Sequence, residues 1–386
     1  MKVSIIGSGI VGLAHALAFA KRGFEVNVYE RHGSPMGASI RNFGSFWSIG
    51  QENRYLSIAS KTKEIWNELI IGAGIEVVSR GSLIVANSEE ENNVLKEFYG
   101  MEASARNGLK LLNHKEVIKS HVFVKQGKLF GALKSEEEFV INPRKAIPRI
   151  IAFLRNNYQV KFHFNHAIQF VSSNYLAAED SSWESDIIIV CNGSDFETLY
   201  PHKFRSECME KCHLQMMKAS TNVYMQLGTT ICSGLSLVDY PSFSACPSLP
   251  KLKEKLECDF SEYIKDGIHV LITQNDEGDL IIGDSHLYDN QPQPFIEEYI
   301  NQNILLYLNQ FLNLPDFQIT QRWTGTYATH PEHKHFFEMI DENVWISTGF
   351  GGAGMTLGLG QAEEHVARIL KVADVDGKEQ NYPLAI

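Results

Sequence analysis

The residues with the clearest chemistry stand near the start of the chain. Gly7-Ser8-Gly9-Ile10-Val11-Gly12 is followed, 18 residues past its last glycine, by the acid Glu30. Glycines at this spacing bind a dinucleotide: Gly7 makes a tight turn, Gly9 lets the backbone approach a pyrophosphate, and Gly12 lets helix and strand pack closely. Glu30 can accept hydrogen bonds from a ribose diol and would repel a 2′-phosphate, so the spacing points to FAD or NAD rather than NADP. A second cluster, Gly349-Phe350-Gly351-Gly352-Ala353-Gly354, has the same spacing, and Asp374 lies 20 residues beyond it. The short polar segment after the expected helix holds no strand to carry an acid under a ribose. We therefore read the second cluster as a helix N-terminus whose free N–H groups face negative charge on one shared cofactor.

Certain elements must position these residues. The pattern predicts a strand over Val3–Ile6 and then a helix with apolar Ile10, Leu13, Ala14, Leu17 and Ala18, stopped at Gly23; a strand over Glu25–Tyr29 delivers Glu30. After a Gly/Ser/Asn-rich loop (Gly33 to Gly50), helices are expected over Tyr55–Leu69, around Glu89–Ala105 and over Arg144–Asn156. Asn142 would cap the last of these and Pro143 would open it. Strands are expected over Ser82–Ala86, Val160–Phe164 and Ile168–Val171, followed by the buried-type run Asp186–Gly193. Residues 214–345 read mainly as strands (Asn222–Leu227, His269–Thr273, Leu280–Gly283) with one helix, Phe295–Leu312. A strand over Val344–Ser347 and a helix over Met355–Val372 close the chain. The expected fold class is α/β: a discontinuous Rossmann-type nucleotide domain (1–80, 141–205 and 337–386) interleaved with an antiparallel-sheet domain (81–140 and 206–336).

Composition narrows the partners. The chain has 386 residues, 44% hydrophobic, with a net charge of -11. That balance disfavours nucleic acid or an anionic membrane surface, which need a basic face. No apolar stretch reaches the roughly 20 residues of a membrane span. The strand at the very start leaves no room for a signal peptide, and six cysteines without a CxxC pair suggest reduced thiols, so a cytoplasmic protein is expected. His330, His333 and His335 beside Pro331 do not share one helix face, so that stretch is read as a solvated loop and no metal is expected.

Taken in order, Gly7–Gly12 with Glu30-Arg31, Gly37-Ala38-Ser39-Ile40-Arg41-Asn42-Phe43-Gly44, Asn142-Pro143-Arg144, Cys191-Asn192-Gly193 and Gly349–Thr356 resemble the FAD-dependent oxidoreductases of the D-amino acid oxidase/glycine oxidase/sarcosine oxidase superfamily. The resemblance spans nearly the whole chain. It implies an FAD-binding domain and a substrate domain whose antiparallel sheet covers the flavin. By the same resemblance Gly7–Gly12 and Ser39–Asn42 hold the pyrophosphate, Glu30 the adenosine ribose, and Ile168 the adenine through its backbone. Gly351, Gly352, Gly354, Met355 and Thr356 lie beside the pyrimidine end of the flavin, and Arg31, Ala38, Phe43, Asn192 and Gly193 complete the cofactor contacts. Several pieces are similar to a bacterial subgroup associated with aminophosphonate breakdown: Ser39–Gly44 with Trp47 and Ile49-Gly50-Gln51, Gly283-Asp284-Ser285-His286, Arg322-Trp323-Thr324-Gly325, and Gly351–Leu357.

The chain departs from the better-known members at two places. Tyr327 stands where amino acid oxidases place the arginine that clamps a substrate carboxylate, which disfavours a plain α-amino acid. No cysteine follows Cys258 and no histidine replaces Ile40 or Arg41, so the flavin is expected to be non-covalent. Arg41 is a candidate phosphate contact. His286, Arg322, Tyr327 and Gln51 are the candidate substrate-side residues, with Arg322 and His286 offering the charge that Tyr327 lacks. The expected reaction is oxidation of the C–N bond of a small amine by hydride transfer to flavin N5, with an aminophosphonate or its N-methyl form as substrate. The alternative is a small amino acid, N-methyl amino acid or 2-hydroxy acid. A monomer or homo-oligomer acting on a small molecule is expected.

Overall fold

The computed structural model describes residues 1–291 and 294–375. The expectations for 376–386, including the polar tail and the end of the nucleotide domain, fall outside these residues.

Two sheets organise the chain. The first is built on β1 (Lys2–Ile6), which pairs in parallel with β2 (Glu25–Glu30) on one side and Ile187–Val190 on the other, in the register Val3↔Ile187 and Val3↔Val26. Lys161–Phe164 extends it beyond β2, and Val344–Thr348 extends it in parallel beyond Ile187–Val190. Phe336–Asp341 closes the far edge antiparallel to Val344–Thr348. Val3, Ile5, Ile188 and Ile189 are fully buried, as expected for strands covered on both faces, so these segments read as unbroken apolar runs. The covering layer includes helix α1 (Ile10–Ala20), the helix Pro143–Tyr158 and the closing helix Gly354–Val375. Asn142 caps the second of these through the Arg144 N–H, and Pro143 occupies its first turn. Asp374 falls inside the closing helix rather than at the end of a further strand.

The second sheet has ten strands. Along its main path, Leu287–Tyr288, Glu210–Thr221, Leu280–Gly283, Leu271–Gln274, Thr230–Cys232, Val77–Ala86, Gly131–Ile141 and Ser45–Phe46 are successive neighbours. Phe317–Thr329 pairs with Glu210–Thr221, and Lys110–Asn113 with Gly131–Ile141. All of these pairings are antiparallel except that of Thr230–Cys232 with Val77–Ala86. The strand Val77–Ala86 runs through residue 80, where the sequence reading drew a boundary.

Local expectations fail in a few places. Residues 222–227 form no strand, and Ile168 precedes the strand Phe170–Ser172 instead of opening one. The segment 214–345 holds helices Gly234–Asp239, Leu249–Asp259 and Ser261–Lys265 besides Glu298–Phe311. In Leu249–Asp259, buried Leu249, Leu252 and Leu256 recur at helical spacing between charged residues. The strand Gly131–Ile141 escaped notice because of its three consecutive glutamates. One of them, Glu138, is buried and accepts hydrogen bonds from Ser48 Oγ (2.7 Å), the Ile49 N–H (2.9 Å) and Ser82 Oγ (3.0 Å).

Candidate active site

One cavity of about 870 Å³ runs from the β1–α1 turn to the second sheet. At the turn, Gly7 has φ +103°, and a Cβ there would come within 2.3 Å of the Cys191 carbonyl oxygen. A Cβ on Gly12 would lie 2.0 Å from the Gly7 oxygen, so the helix rests directly on the turn and neither position admits a side chain. Glu30, buried at the end of β2, accepts from the Ser8 N–H (3.1 Å), Ser8 Oγ (2.7 Å) and the His32 N–H (3.1 Å). Arg31 pairs with Asp195, which holds it at the rim. Ser39 Oγ accepts from the Ile10 N–H at 2.8 Å and would be 3.0 Å from a Cβ on Gly9.

The loop after residue 37 is braced by its own side chains. Asn42 donates to the carbonyls of Ala38 (2.9 Å) and Ser39 (3.1 Å) and accepts from the Gly44 N–H (2.7 Å). Arg41 donates to the Thr324 carbonyl at 3.2 Å while its own carbonyl accepts from Trp323 Nε1 at 3.0 Å, so the loop is tied to the strand Phe317–Thr329. Phe43 and buried Ile168 also line the cavity, as do Val11, Ala38, Asn192 and Gly193. Gly351, Gly352, Gly354, Met355 and Thr356 meet the cavity at the head of the closing helix. Trp47 and Trp66 hold that first turn: the Trp47 N–H donates to Thr356 Oγ1 and Trp66 Nε1 to the Met355 carbonyl, both at 2.9 Å.

These residues fit a flavin dinucleotide. Two helix N-termini, each led by glycines and without a side-chain cap bond, open onto one cavity, which is the arrangement that receives phosphate and other negative charge. Asn192 Oδ1 is buried in the wall without a hydrogen-bond partner, as are Trp47 Nε1 and Gln51 Oε1. A polar ligand would satisfy them.

The opposite end is made by the second sheet. Tyr327 lies beside Gly351 and Gly352, with its ring 3.9 Å from where a Cβ of either would stand. It is half-buried, and desolvation pushes its phenol well above the usual tyrosine range, with Cys212 and Tyr288 adding to the effect, so it stays protonated. Gln51 is buried in the same wall. Its loop is clamped by Glu138 and by Arg106, which donates to the carbonyls of Ser48 (2.9 Å) and Gln51 (2.6 Å). His286 Nδ1 is 3.0 Å from the Gly267 carbonyl, and its ring stacks on His269 at 4.6 Å. Burial pushes His269 down and Asp284 up from their ordinary values.

Arg322 is a correction. It pairs with Glu298 at 2.9 Å on the outer side of the sheet and does not line the cavity. Successive side chains of a strand alternate faces, and Arg322 and Tyr327 are an odd number of positions apart. The stretch 330–335 is a loop, but it is not solvated throughout. His330 is buried and lines the cavity, while His335 turns away to His365, with ring centroids 5.2 Å apart, so the three histidines do not converge. Sequence reasoning missed Lys334. It lines the cavity half-buried, burial pushes its ammonium down, and the nearby Glu52 and Asp239 partly restore it. Asp239, Tyr240, His269 and Tyr288 were missed as well; they come from a helix end and two separate strand regions and share no spacing motif with Asp284 and His286.

Comparisons with known proteins agree with this geometry. Residues 2–226 and 236–368 match the DAO family model, described as FAD dependent oxidoreductase. The fold is similar to that of glycine oxidase from Geobacillus kaustophilus, with TM-score 0.76, 16% identity, and coverage of 99% of this chain and 96% of that one. It is also similar to L-proline dehydrogenase from P. horikoshii (TM-score 0.78, 16% identity, 99% and 95% covered). A third similar structure is L-alpha-glycerophosphate oxidase from Mycoplasma pneumoniae with FAD bound (TM-score 0.73, 16% identity, 96% and 94% covered). A search of curated proteins found no match. With most of its residues matched by the family model and a cavity suited to the dinucleotide, the chain belongs to the DAO family of FAD-dependent oxidoreductases.

Proposed function

We propose that this oxidoreductase oxidises the C–N bond of a small amine carrying an anionic head, with an aminophosphonate or its N-methyl derivative as substrate. The observation that carries the reading is the identity of the polar groups around Tyr327. Besides Tyr327 they are separate donors and acceptors lining the same cavity (Gln51, His286, Lys334), and position 327 itself carries a phenol rather than a forked arginine; Arg54, which also lines the cavity near Lys334, is paired with Glu52. A tetrahedral phosphonate offers three oxygens to separated partners, whereas a planar carboxylate favours one bidentate arginine.

Bound FAD supplies the hydride acceptor; the protein binds, orients and desolvates the amine. Tyr327, kept neutral by desolvation, donates its O–H to an anionic oxygen. Because a carbonyl only accepts, the 3.0 Å contact with Gly267 assigns the His286 proton to Nδ1. The Nε2 lone pair is left open to a ligand, and a neutral amine is the form of the substrate that gives up hydride. Gly7–Gly12, Ser39–Asn42, Glu30 and Ile168 are proposed to hold the pyrophosphate, ribose and adenine. The nucleotide part is proposed to comprise 1–80, 141–205 and the chain from 337, with 81–140 and 206–336 covering the flavin. All six cysteines are free thiols, which suits the cytoplasm we propose as its compartment.

Anaerobic bleaching of the flavin tests the substrate. 2-Aminoethylphosphonate or its N-methyl form should reduce it faster than glycine, sarcosine or D-alanine at equal concentration. The second reading, an amino acid substrate, is favoured by the fold's likeness to glycine oxidase and L-proline dehydrogenase, and it stands if any amino acid outpaces every phosphonate.

A further inference from the structure

The second sheet brings His269, Asp284 and His286 together at one point of the cavity wall, with their donor atoms all within 4.8 Å of one another. Reciprocal backbone bonds of 3.2 Å between His269 and Asp284 fix the two segments side by side. Asp284 Oδ1 lies 3.8 Å from His269 Nε2, and Asp284 Oδ2 lies 3.8 Å from His286 Nε2. Asp239 Oδ2 adds a second carboxylate 3.2 Å from His269 Nε2.

This group is rich in lone pairs and poor in protons. His286 donates through Nδ1 to Gly267, so its Nε2 presents a lone pair toward a carboxylate oxygen, and two facing acceptors repel. Asp284 Oδ1 is buried with no hydrogen-bond partner, although unpaired buried carboxylate oxygens are costly. Donor atoms that share one tetrahedral ion at about 2.1 Å stand about 3.4 Å apart, which lies between the observed 3.2 and 3.8 Å separations. A backbone carbonyl behind one imidazole is also the usual support of a metal-bound histidine.

We propose that His269 Nε2, His286 Nε2, Asp284 and Asp239 bind a first-row divalent cation, with Zn²⁺ as the type case. Two imidazoles with carboxylates suit such ions, whereas Ca²⁺ and Mg²⁺ prefer all-oxygen sets. The ion sits close to Tyr327, whose ring centroid is 6.4 Å from that of His286. From there it supplies positive charge beside Tyr327 and anchors an anionic oxygen of the substrate. That anchoring role rests on the function proposed above; the binding of the ion does not.

The test uses the FAD-loaded protein, stripped with EDTA, dialysed and titrated with Zn²⁺ alone. One equivalent per chain is expected by calorimetry and by metal analysis. His269→Ala, His286→Ala and Asp284→Asn should each weaken binding by about 100-fold or more, beyond the 10–100-fold typical of supporting residues. His202→Ala, at an exposed histidine elsewhere, should bind as wild type. Flavin absorbance and Tm report whether each variant is folded; should the variants fail, anomalous scattering at the zinc edge from wild-type crystals locates the ion. Absence of stoichiometric zinc, or zinc found away from these four residues, overturns the proposal. If zinc binds here and no anionic amine bleaches the flavin, the substrate reading falls and the site stands. If amines bleach the flavin and zinc does not bind, the site falls alone.

Discussion

Tyr327 and Arg322 show how the face of a strand decides a role. Both stand on Phe317–Thr329, opposite Cys212 and Met217 of the neighbouring strand, yet only Tyr327 reaches the cavity. Arg322 forms a partly exposed ion pair with Glu298, and such pairs contribute about 0–1 kcal/mol. Arg322→Ala should therefore leave flavin content and the rate of amine-dependent bleaching within about twofold of wild type. Tyr327→Phe should keep the flavin but raise the apparent substrate dissociation constant about 2–10-fold in stopped-flow reduction, the equivalent of one lost hydrogen bond of about 0.5–1.5 kcal/mol. Unchanged saturation in Tyr327→Phe would remove the phenol from substrate binding.

At the scale of elements, α1 and the closing helix aim their N-termini at the cavity and also share a buried polar seam. His15 Nδ1 lies 2.8 Å from the Val11 carbonyl and His15 Nε2 3.2 Å from His365 Nδ1, with His335 packed beyond His365. Burial lowers His15 and His335 from 6.5 to about 4 and drives His365 well below its ordinary value. The unfolded chain then binds protons that the folded chain refuses. This contribution to stability is complete above about pH 6.5 and is lost as the pH falls toward 4, on the order of 3 kcal/mol for His15 alone. Denaturant midpoints should fall between pH 7 and pH 5, with FAD released in the same window because both helices that open onto the cavity are involved. His15→Gln should flatten the profile.

The β1–α1 turn offers a sharper test at this scale. Gly9→Val places branched carbons against Ser39 Oγ, where we propose that the pyrophosphate binds, so it should abolish FAD binding by equilibrium dialysis. Wild-type affinity in that variant would make the loop merely a turn.

For the whole molecule, the cofactor cavity is walled by both sheets, so FAD should link them thermodynamically. A ligand bound only by the folded state stabilises by RT ln(1 + [L]/Kd), about 2.7 kcal/mol at a hundredfold excess over Kd. Adding FAD to stripped protein should raise Tm in a concentration-dependent way. Acid precipitation should leave the flavin intact in the supernatant, and flavin retained in the pellet would reject non-covalent binding. Among the described residues no helix is long and apolar enough to cross a membrane.

The nucleotide end was legible in the sequence because its determinants are local. The Gly7–Gly12 turn, the apolar face of α1 and Glu30 are consecutive features of one βαβ unit, and Gly12 answers to the Gly7 carbonyl five residues away, although Gly7 itself meets the distant Cys191 carbonyl. The head of the closing helix was legible for the same reason, as a run of glycines before a helical period. The opposite end was legible only in part: Gln51, His286 and Tyr327 line the cavity, but their neighbours were hidden. His269, Asp284 and Asp239 meet only through strand pairing and a helix end, and Lys334 reaches the cavity from the turn between Phe317–Thr329 and Phe336–Asp341. Glu138 looks like one of three solvated glutamates until the loop at Ser48 and Ile49 folds over it. Backbone constraints within one turn are written in neighbouring residues. Which polar side chains share a buried space depends on how distant strands pair, and only the tertiary structure decides that.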